Sequence, residues 1–229
     1  MAGHPGVAER VRHRADAAGR APHSSCHPRA TVPLVAPTRW QQERTAADSA
    51  AYARRFADLA AAGEDLHGEA RFLDALIAPG SLVLDAGCGT ARVGAELARR
   101  GHRVLAVDAD PVLVAAAPRV PGLRVQVADL TELGGASGPF DAAVAAGNVL
   151  VYAAPGTERT LLSRVATLLR PGGVLVTGFA TDREYGLAAF DADAGAVGFV
   201  REHRFATWQF APWASGADWA VTVLRRPGG

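Results

Sequence analysis

The chain contains no lysine: all 24 of its basic residues are arginine. Lysine Schiff-base chemistry and a Walker-type phosphate-binding lysine are thereby excluded. Long apolar runs are also missing. Although 49% of the residues are hydrophobic, no stretch comes near the ~18 consecutive apolar residues that a membrane span requires, so a soluble chain with no membrane partner is expected. Cysteine is reduced to Cys26, in a Pro/His-rich stretch, and Cys88, in a Gly-rich loop. That usage predicts no structural disulfide and fits a reducing cytoplasm. Asparagine occurs once, as Asn148.

The 229 residues suit one domain with a buried core and an appendage. Residues 1–38 hold five Arg against two acids, together with Pro5, Pro22, Pro28, Pro33 and Pro37, and show neither helical nor strand periodicity. They are expected to be a disordered tail. Residues 39–229 form the domain, with 39–80 as a helical N-terminal lid. From residue 39 onward 19 Arg face 21 acids, a formal net charge of −2, which is a poor match for nucleic acid.

The body alternates between two periods. Apolar runs at 82–84, 104–107, 123–127, 142–145 and 174–177 read as buried strands, and amphipathic stretches near 92–100, 111–117 and 157–170 read as helices between them. Such alternation predicts βαβ units and a mostly parallel sheet covered on both faces. Two more helices, near 41–62 and 67–77, precede the first strand. Pro171-Gly172-Gly173 is read as the stop of a helix. Residues 199–210 and 218–225 read as a C-terminal hairpin joined by a loop over 211–217.

Val83-Leu84-Asp85-Ala86-Gly87-Cys88-Gly89-Thr90-Ala91 carries the strongest chemical signal. A dinucleotide loop of the form G-x-G-x-x-G would need Gly at position 92, where Arg stands, and Asp85 would repel a pyrophosphate. The loop therefore suits a ligand without phosphate. Asp85-x-Gly87-x-Gly89-x-Ala91 resembles the first motif of class I S-adenosylmethionine-dependent methyltransferases, whose usual form has Gly where this chain has Ala91. The resemblance continues through Ala106-Val107-Asp108-Ala109-Asp110-Pro111, Val127-Ala128-Asp129-Leu130, Phe140-Asp141-Ala142-Ala143-Val144 and Leu169-Arg170-Pro171-Gly172-Gly173, and covers about residues 66–180.

The resemblance implies a Rossmann-like, doubly wound α/β fold, with a seven-stranded, mostly parallel sheet ending in an antiparallel hairpin. It implies S-adenosyl-L-methionine as cofactor, with Gly87, Cys88, Gly89 and Ala91 in the loop and Asp85 facing the cofactor's ammonium end. Asp108 would accept the ribose hydroxyls beside Ala109. Asp129 would take the adenine amino group, with Leu130 against the ring. Arg71 is a candidate clamp for the cofactor carboxylate. No metal ligand is expected.

Catalytic candidates are fewer. Asn148 follows the fourth strand, where the family places acceptor-facing groups, and His67 is the one proton acceptor to test first. Asn148 is followed by Val149 and Leu150, so the Asn-Pro-Pro-Tyr motif of adenine N-methylating relatives is absent. Tyr52 and Phe56 read as lid packing, and Tyr152, Tyr185, Trp208 and Trp213 as candidate walls of an apolar acceptor pocket. The function expected is methyl transfer to an O, N or S atom of a small molecule. The alternatives are a protein or RNA methyltransferase, or a non-catalytic module that binds the cofactor. The sequence leaves the oligomeric state open.

Overall fold

The computed structural model describes residues 36–135 and 138–228. The expected tail therefore lies almost wholly outside the described residues. Among those described, no helix is long and apolar enough to cross a membrane.

Three helices lead in. α1 (Arg39–Glu43) and α2 (Ala46–Ala61) each start at a capping box, in which Thr38 exchanges hydrogen bonds with Gln41 and Thr45 with Asp48. The second box breaks the single helix expected over 41–62, because Arg44 and Thr45 are both extended. α3 (Gly68–Asp74) follows.

The sheet then builds in the expected alternation: β1 (Leu82–Ala86), α4 (Arg92–Arg99), β2 (Arg103–Asp108), α5 (Pro111–Ala115), β3 (Leu123–Val127), β4 (Phe140–Ala145), α6 (Glu158–Leu168) and β5 (Leu169–Ala180). α7 (Leu187–Ala196), β6 (Val200–Phe205) and β7 (Trp219–Arg225) complete it. The seven strands run in the order β3-β2-β1-β4-β5-β7-β6. β1 to β5 are parallel, and β7 pairs antiparallel with both β5 and β6. This is the Rossmann-like fold expected.

Neighbouring residues on each strand serve opposite cores, as the two-residue strand period requires. Leu84, Leu105, Ala143 and Leu175 pack on one face with α6 and α7, around Leu162 and Phe190. Val83, Val104, Ala142 and Val176 pack on the other with α3 and α4, around Phe72 and Leu97. Burial on both faces makes β1, β2, β4 and β5 read as apolar runs, whereas the edge strand β3, expected to be buried, alternates half-buried Leu123 and Val125 with exposed Arg124 and Gln126.

Three details differ from the sequence expectation. β5 begins at Leu169 and runs through Pro171-Gly172-Gly173, where its register against β4 shifts between Phe140 and Ala142. The first hairpin strand stops at Phe205, because Ala206 N–H turns back to the Ala211 carbonyl at 2.8 Å. α7 was not foreseen: its alanines surround the helix without a stripe, and only Phe190 and Ala194 are buried. The edge strand β6 carries exposed Arg201, Glu202 and His203, a charged rim that discourages strand addition.

Candidate functional site

Strand order reverses between β1 and β4, so the crevice beyond their carboxyl ends is where an open α/β sheet receives ligands. A cavity of about 660 Å³ lies there. Its floor is the loop after β1 and the ends of β2 and β3, and its roof is α1 and α2.

The loop is shaped by backbone conformation. Gly87 and Gly89 have φ of 70° and 54°, in the left-handed region where a side chain is strained. A Cβ on Gly87 would meet Val149 at 2.5 Å, whereas one on Gly89 would have only Tyr52 and Leu113 at 3.9–4.0 Å. The bare Gly89 backbone thus leaves open room beneath Tyr52, as close approach of a ligand requires. Cys88 lines the cavity. Burial, then Asp85 and Asp108, push its thiol up, so it stays protonated.

Three carboxylates at the ends of adjacent parallel strands line the same space. Asp85, at β1, is 2% exposed and accepts the Gly94 N–H at 2.8 Å. Burial pushes its carboxyl up to about 7, with the Gly94 bond pulling the other way. Asp108, at β2, accepts Gly89 N–H at 2.7 Å on one oxygen and Asp110 N–H at 2.9 Å on the other. Its pKa is also raised, first by burial, with those donors opposing. Asp129 accepts from the Thr131 N–H and hydroxyl on one oxygen, at 2.7 and 2.6 Å. Ala109 and Leu130 line the cavity beside them.

The lid is tied down at two points. The Arg39 guanidinium donates to the carbonyls of Val151 and Ala153 at 3.2 and 3.0 Å, and to Glu158 at 2.9 Å. Trp40 donates its indole N–H to Asp110 at 2.9 Å, and the Ser49 hydroxyl donates to the same oxygen. The other Asp110 oxygen caps α5 through Val112 and Leu113. Although burial alone would raise it, the donors Ser49 and Trp40 hold the Asp110 carboxyl below its ordinary range.

Of the sequence candidates, Asp85, Gly87, Cys88, Gly89, Asp108, Ala109, Asp129, Leu130 and Asn148 line this cavity. Ala91, Arg71 and His67 do not. Ala91 is fully buried with φ 54° as the N-cap of α4, so its methyl takes no room from a ligand. Arg71 is held by Asp65 through both terminal nitrogens on the exposed side of α3. His67 opens α3 and turns its Nδ1 toward Glu96 at 3.8 Å.

Asn148 sits in the cavity wall with φ 69°, and its Oδ1 accepts the Ala180 N–H at 2.8 Å. Its backbone N–H bonds the Gly178 carbonyl at 3.1 Å. The side chain therefore pins the loop after β4 onto β5, while Nδ2 carries no bond from the described residues.

Among the expected aromatic walls, Tyr152 lines the cavity, as do Tyr52 and Phe56. Tyr185 is buried and donates to Asp193. Trp208 lies on Gly178, and Trp213 stacks with Arg204. Trp40, Gln41, Arg44, Asp48 and Arg55 were missed as cavity residues. The two Thr capping boxes were their readable signal, since they mark α1 and α2 as separate, defined helices. Arg92 was missed too. It forks onto Glu69, at 2.9 and 2.5 Å, and joins α4 to α3.

A fold of this order, with one acid at the end of each of three successive strands around a Gly-rich turn, defines a class of cofactor-dependent transferase. The methyltransferase domain family matches residues 83–173. A solved TehB-like S-adenosylmethionine-dependent methyltransferase from Corynebacterium glutamicum is 37% identical, with a TM-score of 0.76 over 80% of this chain and 100% of its own. The trans-aconitate 2-methyltransferase of Deinococcus radiodurans is 40% identical over 112 residues, which is 46% of this chain and 41% of that protein. The magnesium-protoporphyrin O-methyltransferase of Rhodobacter capsulatus is 41% identical over 88 residues, or 36% of this chain and 38% of that one. The chain thus spans about two fifths of the curated relatives it matches. It belongs to the class I S-adenosylmethionine-dependent methyltransferases.

The cavity residues fit that cofactor. The Gly89 backbone is open toward Tyr52. Asp108 keeps acceptor capacity on both oxygens after its two backbone bonds, and one Asp129 oxygen carries no bond from the described residues.

Proposed function

We propose that this protein transfers the methyl group of S-adenosylmethionine to an O, N or S atom of a small molecule. The observation that carries this reading is the roofed cavity of about 660 Å³, which exceeds the lower end of ligand pockets, about 300 Å³, and is covered by helices latched at Arg39 and Trp40. A polymer substrate would have to displace that roof. The two curated relatives are named for small acceptors, magnesium-protoporphyrin and trans-aconitate.

When bound, the cofactor supplies an electrophilic methyl on a sulfonium. Asp108 would accept its vicinal ribose hydroxyls, since a carboxylate offers acceptor sites only. Asp129 would accept the adenine amino group, Ala109 and Leu130 would flank the ring, and Asp85 would face the ammonium. An acceptor lone pair would form the new bond to the methyl carbon as the carbon–sulfur bond breaks, the sulfur keeping that electron pair in S-adenosylhomocysteine, and the acceptor's proton would leave to solvent. Alignment can account for much of such a displacement, ~7–11 kcal/mol in favourable intramolecular systems. No histidine among the described residues lines the cavity. The chain's own contribution is then positioning, with Asn148 holding the acceptor-side loop and its Nδ2 facing the acceptor.

The test is incubation with a methyl-labelled donor and a low-mass metabolite extract. Label in low-mass products is expected. Label confined to protein or RNA would reject the small-molecule reading, and cofactor binding with no transfer to any fraction would favour a binding module.

A further inference from the structure

The roof of the cavity carries exposed charge. Arg44, which caps the end of α1, and Arg55, on α2, both line the cavity and are solvent-exposed. Among the described residues neither makes a salt bridge. The groups around them are already engaged. Asp48 is taken up by the Thr45 capping box, Asp110 by Trp40 and Ser49, and Arg92 by Glu69. Asp85, Asp108 and Asp129 lie on the floor, at the strand ends. On the lid side two arginines thus outnumber one exposed carboxylate, Asp48, whose capping bonds from Thr45 leave its charge in place.

Beside these two guanidinium groups is a cluster of rings. Trp40 meets Tyr52 edge-on at 5.5 Å and Tyr152 at 5.3 Å, and Tyr52 lies 4.9 Å from Phe56. All four line the cavity, with the Arg44 guanidinium 5.7 Å from the Trp40 ring centre and that of Arg92 5.2 Å from the Phe56 ring centre. Flat apolar walls favour a flat apolar guest through offset and edge contacts. A planar guanidinium matches a carboxylate fork to fork and is weakly hydrated, so it gives up water at low cost.

Taking the methyl-transfer reading as its basis, we propose that the acceptor is a small aromatic carboxylate. Its ring lies against Trp40, Tyr52, Phe56 and Tyr152, and its anionic group is held by Arg44 and Arg55. An amine of the same shape would meet two like charges, and a neutral amide would leave Arg55 without a counter-charge and Arg44 with only the Trp40 ring, 5.7 Å from its guanidinium. Selectivity therefore comes from the lid, while the floor is committed to the cofactor.

The test is calorimetry on the full chain, first with S-adenosylhomocysteine and then, at saturation, with one- and two-ring aromatic carboxylates and their matched amides and amines. The carboxylates are expected to bind at least about 10-fold more tightly than the amides, with amines weakest and the difference shrinking in high salt. The Arg44→Gln/Arg55→Gln variant should lose that preference, binding carboxylate and amide alike, while its S-adenosylhomocysteine affinity reports an intact fold. If the wild-type chain does not bind S-adenosylhomocysteine, the methyltransferase reading falls and the acceptor class with it. If it does bind, but the carboxylates show no advantage or the double variant keeps it, the acceptor class alone is overturned.

Discussion

Two residues test the site most sharply at the scale of single groups. Asn148 combines a left-handed backbone with an Oδ1 bond to the Ala180 N–H. Asn148→Ala loses both the tolerance of that conformation and the acceptor, and should cost about 1–2 kcal/mol by thermal unfolding. Asn148→Asp keeps an acceptor there and should restore stability. Turnover that recovers with it would mean that Asn148 only shapes the loop, whereas turnover that stays low in a stable Asn148→Asp would assign Nδ2 to the acceptor. Asp85 makes a pH prediction. Its carboxyl is pushed from 3.8 up to about 7, chiefly by burial, so in between the folded chain holds a proton that the unfolded chain has released. Its stability contribution is fully present at low pH and is lost as pH rises through about 7. An ammonium beside Asp85 favours the carboxylate, so S-adenosylhomocysteine binding should release a proton and tighten as pH rises toward about 7. Affinity flat between about pH 5.5 and 8 would contradict that placement.

At the scale of elements, the lid depends on one buried pair. Arg39 and Glu158 have side chains only 15% and 8% exposed, and Arg39 also satisfies two carbonyls of the loop before α6. Arg39→Ala would leave the Glu158 charge buried and unpaired, at a cost of about 3–5 kcal/mol. A well-packed Arg39→Met/Glu158→Leu pair should regain most of it. Hydrogen exchange reads the location: α1 should open faster in Arg39→Ala while β1 and β4 keep their protection, and unchanged α1 exchange would show that the lid is held elsewhere. Trp40 and Ser49, converging on Asp110, are the second tie. Asp110 thereby serves α5 and the lid together.

At the scale of the whole molecule, what was legible followed from periodicity and spacing. Four apolar runs and the acids at 85, 108 and 129 depend on local sequence, because a buried parallel strand shows its burial in every residue and a strand-end acid sits at a fixed offset from it, whereas β3, expected to be buried, is an edge strand with Arg124, Gln126 and Val127 exposed. What was not legible depends on tertiary partners. Nothing around Arg71 announces that Asp65 holds it away from the cavity, or that His67 turns to Glu96. Arg44 and Arg55 look like ordinary helix-surface charges until α1 and α2 fold over the strand ends. α7 carries no stripe for a pattern to find, and its helix is decided by the packing of Phe190 and Ala194. Calorimetry of S-adenosylhomocysteine binding to wild-type and Asp108→Ala protein is the most direct measurement of the site as a whole. One equivalent should bind the wild type, and the variant, still folded by circular dichroism, should bind about 10- to 100-fold more weakly, because charge-assisted hydrogen bonds are worth ~1.5–3 kcal/mol. Unchanged affinity in the folded variant would contradict a cofactor site at the strand ends.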